Sequence, residues 1–395
     1  MPHKHIAELS REKQDTKSED EELPRTEEPI EADSQENELP FELRIRRAHE
    51  DRSRDRRKTT KHRERLDGGV HSELEATQGL IEGRIIRSEG GYYFAELKDG
   101  TELRVKTTKR TRSAEPNATL VTIGDRVLID TESGEAAIIA QVLDRQTKLL
   151  RRASGRSDVF GQVIVANIDV LVIVASILEP RLRSGIIDRY IVAGLDGGLE
   201  IMVVINKLDL ATSAEDQAEL AYFLKLYNGL GYPTFAVSSK LPESLEPLHL
   251  ALTGKTSVFA GHSGVGKSSL VNVLLGTDDE RIGELSKKFR RGAHTTSRSI
   301  LLKLGDISGT YVVDTPGVRE FENHAIEPEN LKFFFVEFAA YQSLCPLANC
   351  SHVHEPGCAV IAAVDAKKLS IERYASYLKL FEEATTQDKL LREKF

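Results

Sequence analysis

The sequence predicts a multidomain protein in which a small β-barrel, an α/β domain with a parallel sheet and a helical zinc-binding segment follow one another. Three observations predict this order: five short β-rich runs before residue 148, strand–helix alternation from residue 162, and a cysteine and histidine cluster after residue 344. The predicted regions are a disordered charged tail over 1–77, the barrel over 78–155, the α/β domain over 156–322 and the zinc-binding helical domain over 323–395.

The N-terminal tail contains an acidic block, residues 15–38, followed by a basic block, residues 44–65. Neither block has enough apolar side chains to offset the entropy of ordering it, so we expect disorder over residues 1–77. Two interpretations of the tail remain open: a solvating extension, or an arm whose basic block contacts phosphates. Because the net charge of −8 is distributed this unevenly, it does not exclude nucleic acid as a partner.

The chain carries no sequence signal for secretion or membrane insertion. Its first residues lack the apolar core of a signal peptide, and its most apolar stretch, residues 163–178, is interrupted by Asn167 and Asp169. The three cysteines lie within residues 345–358, which argues against a disulfide framework. We therefore expect a cytoplasmic protein that does not bind membranes.

The barrel is predicted from five short runs of β-forming residues separated by glycine-containing turns. These runs suit a small closed barrel of the OB type, and an SH3-like barrel fits the same pattern nearly as well. Lys106, Lys109, Arg110 and Arg112 form a basic loop that suits either nucleic-acid binding or plain solvation. The five runs are residues 80–86, 92–97, 102–106, 126–130 and 137–143.

From residue 162 onward, β-rich runs alternate with helical patterns, as in a parallel sheet covered by helices. The first strand is predicted over residues 163–176, and four of the later strands end on or next to polar motifs. Open α/β sheets bind ligands at the carboxyl ends of their strands, so we expect these motifs to form one site. The later strands are 200–205, 234–237, 256–260, 299–304 and 310–313, and the main helices are 185–195, 213–230 and 267–275.

A phosphate loop follows the strand at 256–260. The run from Gly261 to Ser268 fits G-x-x-x-x-G-K-[ST] between a β-rich run and a helix. Its backbone N–H groups suit a β-phosphate, Lys267 suits the β- and γ-phosphates, and the Ser268 hydroxyl suits Mg²⁺. The predicted phosphate-binding residues are Gly261, His262, Ser263, Gly264, Val265, Gly266, Lys267 and Ser268.

A guanine-reading motif, Asn206-Lys207-Leu208-Asp209, comes before the phosphate loop rather than after it. The Asp209 carboxylate can accept from both guanine N1–H and the exocyclic amine, and adenine lacks this pair of donors. We expect Asn206 to tie the motif to the phosphate loop and Lys207 to cover the base. The reversed order of two specific motifs predicts a circularly permuted GTPase domain that binds GTP and GDP.

Two further runs complete the predicted nucleotide site. The run Ser238, Ser239 and Lys240 follows the next strand and is expected to offer a backbone N–H to the guanine oxygen. Asp314 and Gly317, in Asp-Thr-Pro-Gly, suit a Mg²⁺-bound water and the γ-phosphate respectively.

The second switch is expected within the basic segment 287–298, where either Thr295 or Thr296 supplies a hydroxyl to Mg²⁺. Val318 stands where Ras-like enzymes place a water-orienting glutamine, so we expect slow intrinsic hydrolysis. His294 is the candidate catalytic residue; the other interpretation is a surface loop histidine.

The C-terminal segment has the spacing of a closed metal site. Cys345, Cys350, His352 and Cys358 form C-x₄-C-x-H-x₅-C, a Cys₃His set suited to one structural Zn²⁺. His354 is the alternative histidine ligand. A thiol-based enzyme is the competing hypothesis, but four ligands leave no open coordination position. One helix is predicted to begin at residue 327, and a second is predicted over residues 369–383.

The combined motifs resemble a known family, the bacterial small ribosomal subunit biogenesis GTPases RsgA (YjeQ). The resemblance covers residues 78–385 and includes the phosphate loop extended to Ser269, the His-Thr-Thr run at 294–296 and the Cys/His cluster. It implies an OB barrel, a permuted GTPase domain and a C-terminal zinc-binding domain. It also implies that His294 acts in hydrolysis. The charged tail before residue 78 departs from the family pattern.

The resemblance further implies a function in late maturation of the small ribosomal subunit, with GTP hydrolysis stimulated by that subunit and its rRNA as a partner. We expect a monomer. The alternative is an RNA-binding assembly factor that uses GTP only as a structural ligand; Lys267 and the two switches argue against it. A small-molecule kinase is a third class, but no run in the sequence suits an acceptor site.

Overall fold

The computed structural model describes residues 79–113, 115, 119–132, 137–151, 162–276, 300–304, 309–314 and 326–392. Among these residues, 346–358 form one compact unit, and the parts of 79–345 and 359–392 that are described form another. The predicted tail over 1–77 lies outside the described residues.

The N-terminal region is a closed barrel of five strands. The strand order is β1-β2-β3-β6-β5, and β5 pairs with β1 to close the barrel. The strands β3 and β6 are parallel, and all other neighbouring strands of the barrel are antiparallel. Alternate side chains face the interior, where Ala95, Val105, Val127, Ile129 and Ile139 are fully buried. This order confirms the predicted OB-type barrel. The strands are β1 (Leu80–Glu89), β2 (Tyr92–Leu97), β3 (Glu102–Lys106), the short β4 (Arg112–Ser113), β5 (Arg126–Asp130) and β6 (Ala137–Val142).

The α/β domain contains a six-stranded portion of sheet in the order β11-β10-β9-β12-β14-β13. All neighbours are parallel except the pair β13 and β14. This sheet continues into the barrel, because β13 pairs with β1 at Ile300 and Arg87. The strands are β9 (Val170–Ser176), β10 (Glu200–Asn206), β11 (Thr234–Ala236), β12 (Thr256–Ala260), β13 (Ile300–Lys303) and β14 (Tyr311–Asp314).

Four α-helices lie in the described part of this domain. The central strands β9 and β12 are buried along their whole length, as expected of a parallel sheet covered on both faces. Ser213 caps the second helix, because its hydroxyl accepts a hydrogen bond from Asp216 N at 3.1 Å. The helices are α1 (Ser184–Asp196), α2 (Ala214–Gly229), α3 (Glu246–Leu252) and α4 (Lys267–Leu274).

The predicted first strand over 163–176 is wrong in one respect: it is two strands. β8 (Gln162–Ala166) pairs with β7 (Lys148–Arg151) in a separate two-stranded sheet, and only β9 enters the main sheet. Asn167 between them has a left-handed backbone with φ 52°. Its side-chain amide donates to Gly124 O at 2.9 Å, and its side-chain oxygen accepts from Gln146 N at 2.9 Å. The sequence shows the polar interruption at Asn167 and Asp169, but hydropathy alone does not show that its two sides join different sheets. The contacts of Asn167 stabilise this break.

The C-terminal helices also differ from the prediction. The helix expected from 327 is broken into short turns, and Phe335 and Phe338 pack edge-on against Tyr377 with ring centroids 5.1 and 5.0 Å apart. The last helix extends to 392 and packs against α1. None of the helices in the described part of the chain combines the length and apolar character needed to cross a bilayer. The helices are α5 (Pro328–Leu331), α6 (Ala339–Gln342), α7 (Ala359–Asp365) and α8 (Ile371–Arg392).

Candidate functional site

The predicted nucleotide-binding motifs meet at one edge of the sheet. β10, β11, β12 and β14 point in the same direction, and their carboxyl ends lead to Asn206, Ser238, Gly261 and Asp314. β12 lies between β9 and β14, so the phosphate loop is central in space although it comes late in the chain. The reversed order of the motifs in the sequence therefore still produces one site.

The phosphate loop is shaped by three glycines with positive φ. Gly261 has φ 145°, and a Cβ there would overlap the carbonyl oxygen of Val174. Gly264 and Gly266 have φ 84° and 91°, conformations that glycine adopts without strain. α4 begins directly afterwards at Lys267, so its free N–H groups face the loop. The loop is therefore built to surround an anion.

Lys267 closes over this loop. Its ammonium donates to Gly261 O at 2.6 Å and to His262 O at 2.8 Å. An ammonium at this position suits phosphate oxygens, for which it would exchange the two carbonyl contacts. The hydroxyl-bearing Ser268 and Ser269 follow in the first turn of α4 and are exposed.

Asn206 joins the guanine-reading motif to the phosphate loop, as the sequence predicts. Its side chain is 1% exposed, and its amide donates to Val265 O at 2.8 Å. A Cβ at Gly266 would overlap the same amide, so the close approach requires glycine. The next residue, Lys207, has a left-handed backbone, and its ammonium donates to Glu179 O at 2.5 Å. No motif in the sequence indicates this contact with the loop after β9.

Asp209 is held in a fixed orientation by the run at 238–240. It accepts a hydrogen bond from the Ser238 hydroxyl at 2.6 Å and from the Lys240 ammonium at 2.8 Å. Both hydrogen bonds lower the pKa of the Asp209 carboxyl, and the one from Lys240 contributes more than the one from Ser238. Asp209 is therefore an ionised acceptor at neutral pH. Ser239 lies in the same turn, which the Lys240 N–H stabilises by donating to the Ser238 hydroxyl at 3.1 Å.

The oxygen ligands expected for Mg²⁺ come from neighbouring strands. β12 leads to Ser268 through the phosphate loop, and its parallel neighbour β14 ends at the exposed Asp314. A hydroxyl and a carboxylate are hard oxygen donors of the kind Mg²⁺ prefers. His294, Thr295, Thr296 and Gly317 lie outside the described residues.

A cavity of about 130 Å³ lies beside the phosphate loop, between the end of β9 and the start of α1. His262 and Val265 line it, but Asp209 and Lys267 do not. It is smaller than the roughly 300 Å³ at which small-molecule sites begin. This cavity alone is therefore too small to hold a nucleotide.

The Cys/His cluster forms as predicted. Each of Cys345, Cys350, His352 and Cys358 offers a ligand atom, and these atoms lie within 4.8 Å of one another. His352 has a left-handed backbone with φ 60°, and its Nδ1 lies 3.4 Å from the Cys358 sulfur. His354, the alternative ligand, is exposed and is not part of the cluster. Three sulfurs and one imidazole nitrogen at this separation fit tetrahedral Zn²⁺.

Glu355 orders the loop between these ligands and was not identified from the sequence. Its carboxylate accepts from Ser351 N at 2.6 Å, from the Ser351 hydroxyl at 2.5 Å, from Val353 N at 3.0 Å and from His354 N at 3.2 Å. Partial burial acts to raise the pKa of Glu355, but these hydrogen bonds outweigh it and hold the pKa well below the ordinary value. The only signal was the Glu-Pro-Gly run before Cys358.

The chain is similar to known proteins in both sequence and fold. A sequence model of the RsgA GTPase family matches residues 142–324. The small ribosomal subunit biogenesis GTPase RsgA of Chlorobaculum tepidum is 39% identical over 309 residues, which cover 76% of this chain and 97% of that protein. The protein of the same name from Shewanella oneidensis is 37% identical over 339 residues, covering 82% and 91% respectively.

Two solved structures are similar over most of this chain. YjeQ from Thermotoga maritima is 30% identical with a TM-score of 0.61, covering 78% of this chain and 99% of that one. YloQ, described as a circularly permuted GTPase, is 25% identical with a TM-score of 0.61, covering 81% and 99%. Together with the geometry of the strand ends, these similarities identify the chain as a member of the RsgA GTPase family.

Proposed function

We propose that this chain is a GTPase that binds the small ribosomal subunit, acts in its late maturation and hydrolyses GTP to GDP and phosphate. The observation that carries the GTPase part is the hydrogen bond from Asn206 to Val265 O. It fastens the guanine-reading motif to the phosphate loop, so that one ligand with a guanine and a phosphate chain spans both. The subunit as partner rests on the names of the relatives.

In this proposal Asp209 reads the guanine edge, Lys207 covers the base, and the turn containing Ser238, Ser239 and Lys240 holds Asp209 and offers a backbone N–H. The phosphate loop, from Gly261 to Ser269, encloses the phosphates, with Lys267 against the β- and γ-phosphates. A bound Mg²⁺ would supply charge neutralisation to the phosphates. Ser268 and Asp314 are the described residues that would hold it, Asp314 through a water.

The two switches supply further groups to the site. We assign one Mg²⁺ hydroxyl to Thr295 or Thr296, a contact with the γ-phosphate to the Gly317 N–H, and the orientation or deprotonation of the attacking water to His294. Val318 offers no polar group to that water. Hydrolysis is therefore slow until a partner completes the site.

We also propose a domain organisation, a metal content and a set of partners for this chain. We propose domains over 78–155, 156–322 and 323–395, with one structural Zn²⁺ in the last. We further propose a monomer that acts in the cytoplasm without a membrane partner and contacts rRNA. The exposed basic residues Lys106, Lys109, Arg110 and Arg112 offer the barrel a surface for phosphates.

One experiment separates this function from a binding factor that keeps GTP as a structural ligand. Steady-state GTP turnover is measured alone, with purified small subunits and, as a matched control, with large subunits. We expect slow turnover alone, a strong increase with small subunits only, and no turnover for Lys267→Ala. Negligible turnover at saturating small subunits would favour the structural-ligand alternative.

A further inference from the structure

Two pairs of residues face each other where the barrel meets the α/β domain. Arg84 on β1 and Glu96 on β2 are cross-strand partners in the barrel. Thr256 on β12 and Tyr311 on β14 are cross-strand partners in the parallel sheet. We refer to these four residues as the barrel junction.

Side-chain hydrogen bonds connect the two pairs. The Arg84 guanidinium donates to the Thr256 hydroxyl at 3.1 Å, and the Tyr311 hydroxyl donates to the Glu96 carboxylate at 3.0 Å. The guanidinium carbon of Arg84 also lies 5.4 Å from the centre of the Tyr311 ring, within the range of a cation–π contact. The charged group of Arg84 therefore binds β12, and that of Glu96 binds β14. Hydrogen bonds to charged groups are about twice as strong as those between neutral groups.

The position of these contacts connects them to the nucleotide site. Thr256 is the first residue of β12, whose last residue, Ala260, precedes the phosphate loop. Tyr311 is the first residue of β14, which ends at Asp314. At about 3.3 Å per residue, Thr256 lies roughly 13–16 Å from the start of the phosphate loop, and Tyr311 lies about 10 Å from Asp314. β12 is buried throughout and stiff, so a displacement at one end is carried to the other.

The barrel reaches the third relevant strand as well. β1 pairs with β13 at Arg87 and Ile300, and Ile300 follows the segment that contains the predicted second switch. The barrel strand β1 thus contacts β12 and β14, which lead to the phosphate loop and to Asp314, and β13, which follows the predicted second switch in the sequence. The barrel also carries the exposed basic residues Lys106, Lys109, Arg110 and Arg112, a surface suited to phosphates.

We propose that the barrel junction transmits subunit binding from the barrel to the phosphate loop and Asp314, which makes Arg84, Glu96 and Tyr311 positioning residues for stimulated hydrolysis. The inference rests on the proposed function and adds the route by which the subunit acts on the same site. It requires the junction to affect the stimulated rate more than the basal rate.

The test uses Tyr311→Phe in the full chain, which removes one hydroxyl. Tyr222→Phe is the matched control, because the Tyr222 hydroxyl also donates to a glutamate, Glu372, at 3.0 Å but does so away from the barrel. For each protein, basal turnover, the KM for GTP, the maximal stimulated rate and the subunit concentration for half-stimulation are measured. For Tyr311→Phe we expect a maximal stimulated rate at least about fivefold lower than that of the control, with the other three quantities unchanged.

A double variant tests whether the hydrogen bond itself is responsible. Glu96→Ala and Tyr311→Phe are combined, and we expect the pair to lower the stimulated rate no more than the stronger single variant does. If Tyr311→Phe is stimulated as fully as Tyr222→Phe, the inference is overturned. It is also overturned if only the half-stimulating subunit concentration rises, because the junction then serves binding alone. In either case, the proposed function is still supported if small subunits stimulate the wild-type protein. If they do not stimulate the wild-type protein, the proposed function itself is contradicted.

Discussion

Arg373 on α8 donates a hydrogen bond of 2.6 Å to Asp188 on α1, and the two side chains are only 1% and 0% exposed. Glu337 accepts from the Arg373 Nε at 2.8 Å, and the Tyr227 hydroxyl donates to Asp188 at 3.0 Å. A buried ion pair with these additional partners joins the last helix to the helix that follows β9. We expect this contact to hold the C-terminal helix in place, which makes it sensitive to loss of either partner.

Arg373→Met should lower the free energy of unfolding by about 3–5 kcal/mol, because Asp188 is left as a buried charge without its counterion. Chemical denaturation measures this loss. Arg189→Met is the control: Arg189 pairs with Glu383 at 2.7 Å between the same two helices, but both side chains are partly exposed, 24% and 35%. The control should cost less than about 1 kcal/mol. Equal losses for the two variants would contradict this account of the Arg373 pair.

Gly266→Ala should weaken nucleotide binding more than Gly264→Ala does. Both glycines have positive φ, so the backbone strain of alanine is similar at the two positions. Only at Gly266 would the new Cβ overlap the Asn206 amide; at Gly264 the nearest atom is a Pro180 carbon 3.8 Å away. Titration with a fluorescent guanine nucleotide measures both affinities, and we expect a difference of at least about tenfold, equivalent to one lost buried hydrogen bond. Similar affinities would mean that the Asn206 contact does not support binding.

Asp209→Asn should change which base is preferred. The carboxylate accepts two hydrogen bonds from guanine, and an amide at this position replaces one acceptor with a donor. Affinity for GTP should fall by about 100-fold or more, whereas xanthosine triphosphate, which has an oxygen in place of the exocyclic amine, should bind better than GTP. Asp216→Asn, at a partly exposed carboxylate in the first turn of α2, is the control and should leave both affinities unchanged. Retained preference for GTP in Asp209→Asn would contradict the assignment.

Metal removal and loss of Glu355 should affect the same segment. One equivalent of zinc should be released by a strong chelator, with increased amide exchange over residues 346–358, because the ligands hold this unit together. Glu355→Ala removes the acceptor of the hydrogen bonds around His352 and should weaken zinc binding by about tenfold. Glu329→Ala, an exposed acidic residue in α5, should not. Unchanged exchange after complete zinc loss would rule out a structural role for the metal.

His294→Ala should lower the subunit-stimulated rate of GTP hydrolysis by about 100-fold or more while leaving the affinity for GTP unchanged, as expected for a residue that acts on the attacking water. His249→Ala, in the last turn of α3, is the control. Stopped-flow phosphate release measures both. A stimulated rate equal to that of the control would favour a surface loop histidine at 294.

The sequence alone determined the class of each domain and the ligand types of the site. The alternating β-rich runs predicted the bounds of four of the five barrel strands to within one residue. Only β1 extends further than predicted, to Glu89. The glycine, lysine and carboxylate positions of the nucleotide motifs and the cysteine spacing were readable because the ligands impose them. These local patterns reflect chemistry that acts within a few residues of the chain.

The tertiary structure decided what depends on partners distant in sequence. The break at Asn167 arises from its contact with Gly124, 43 residues earlier, and the Arg373 pair with Asp188 spans 185 residues. The barrel junction joins Arg84 to Thr256 across 172 residues. Hydropathy and spacing record which side chains are apolar, charged or metal-binding. They do not record which distant strand or helix meets them, because packing selects these partners only when the sheet and barrel close.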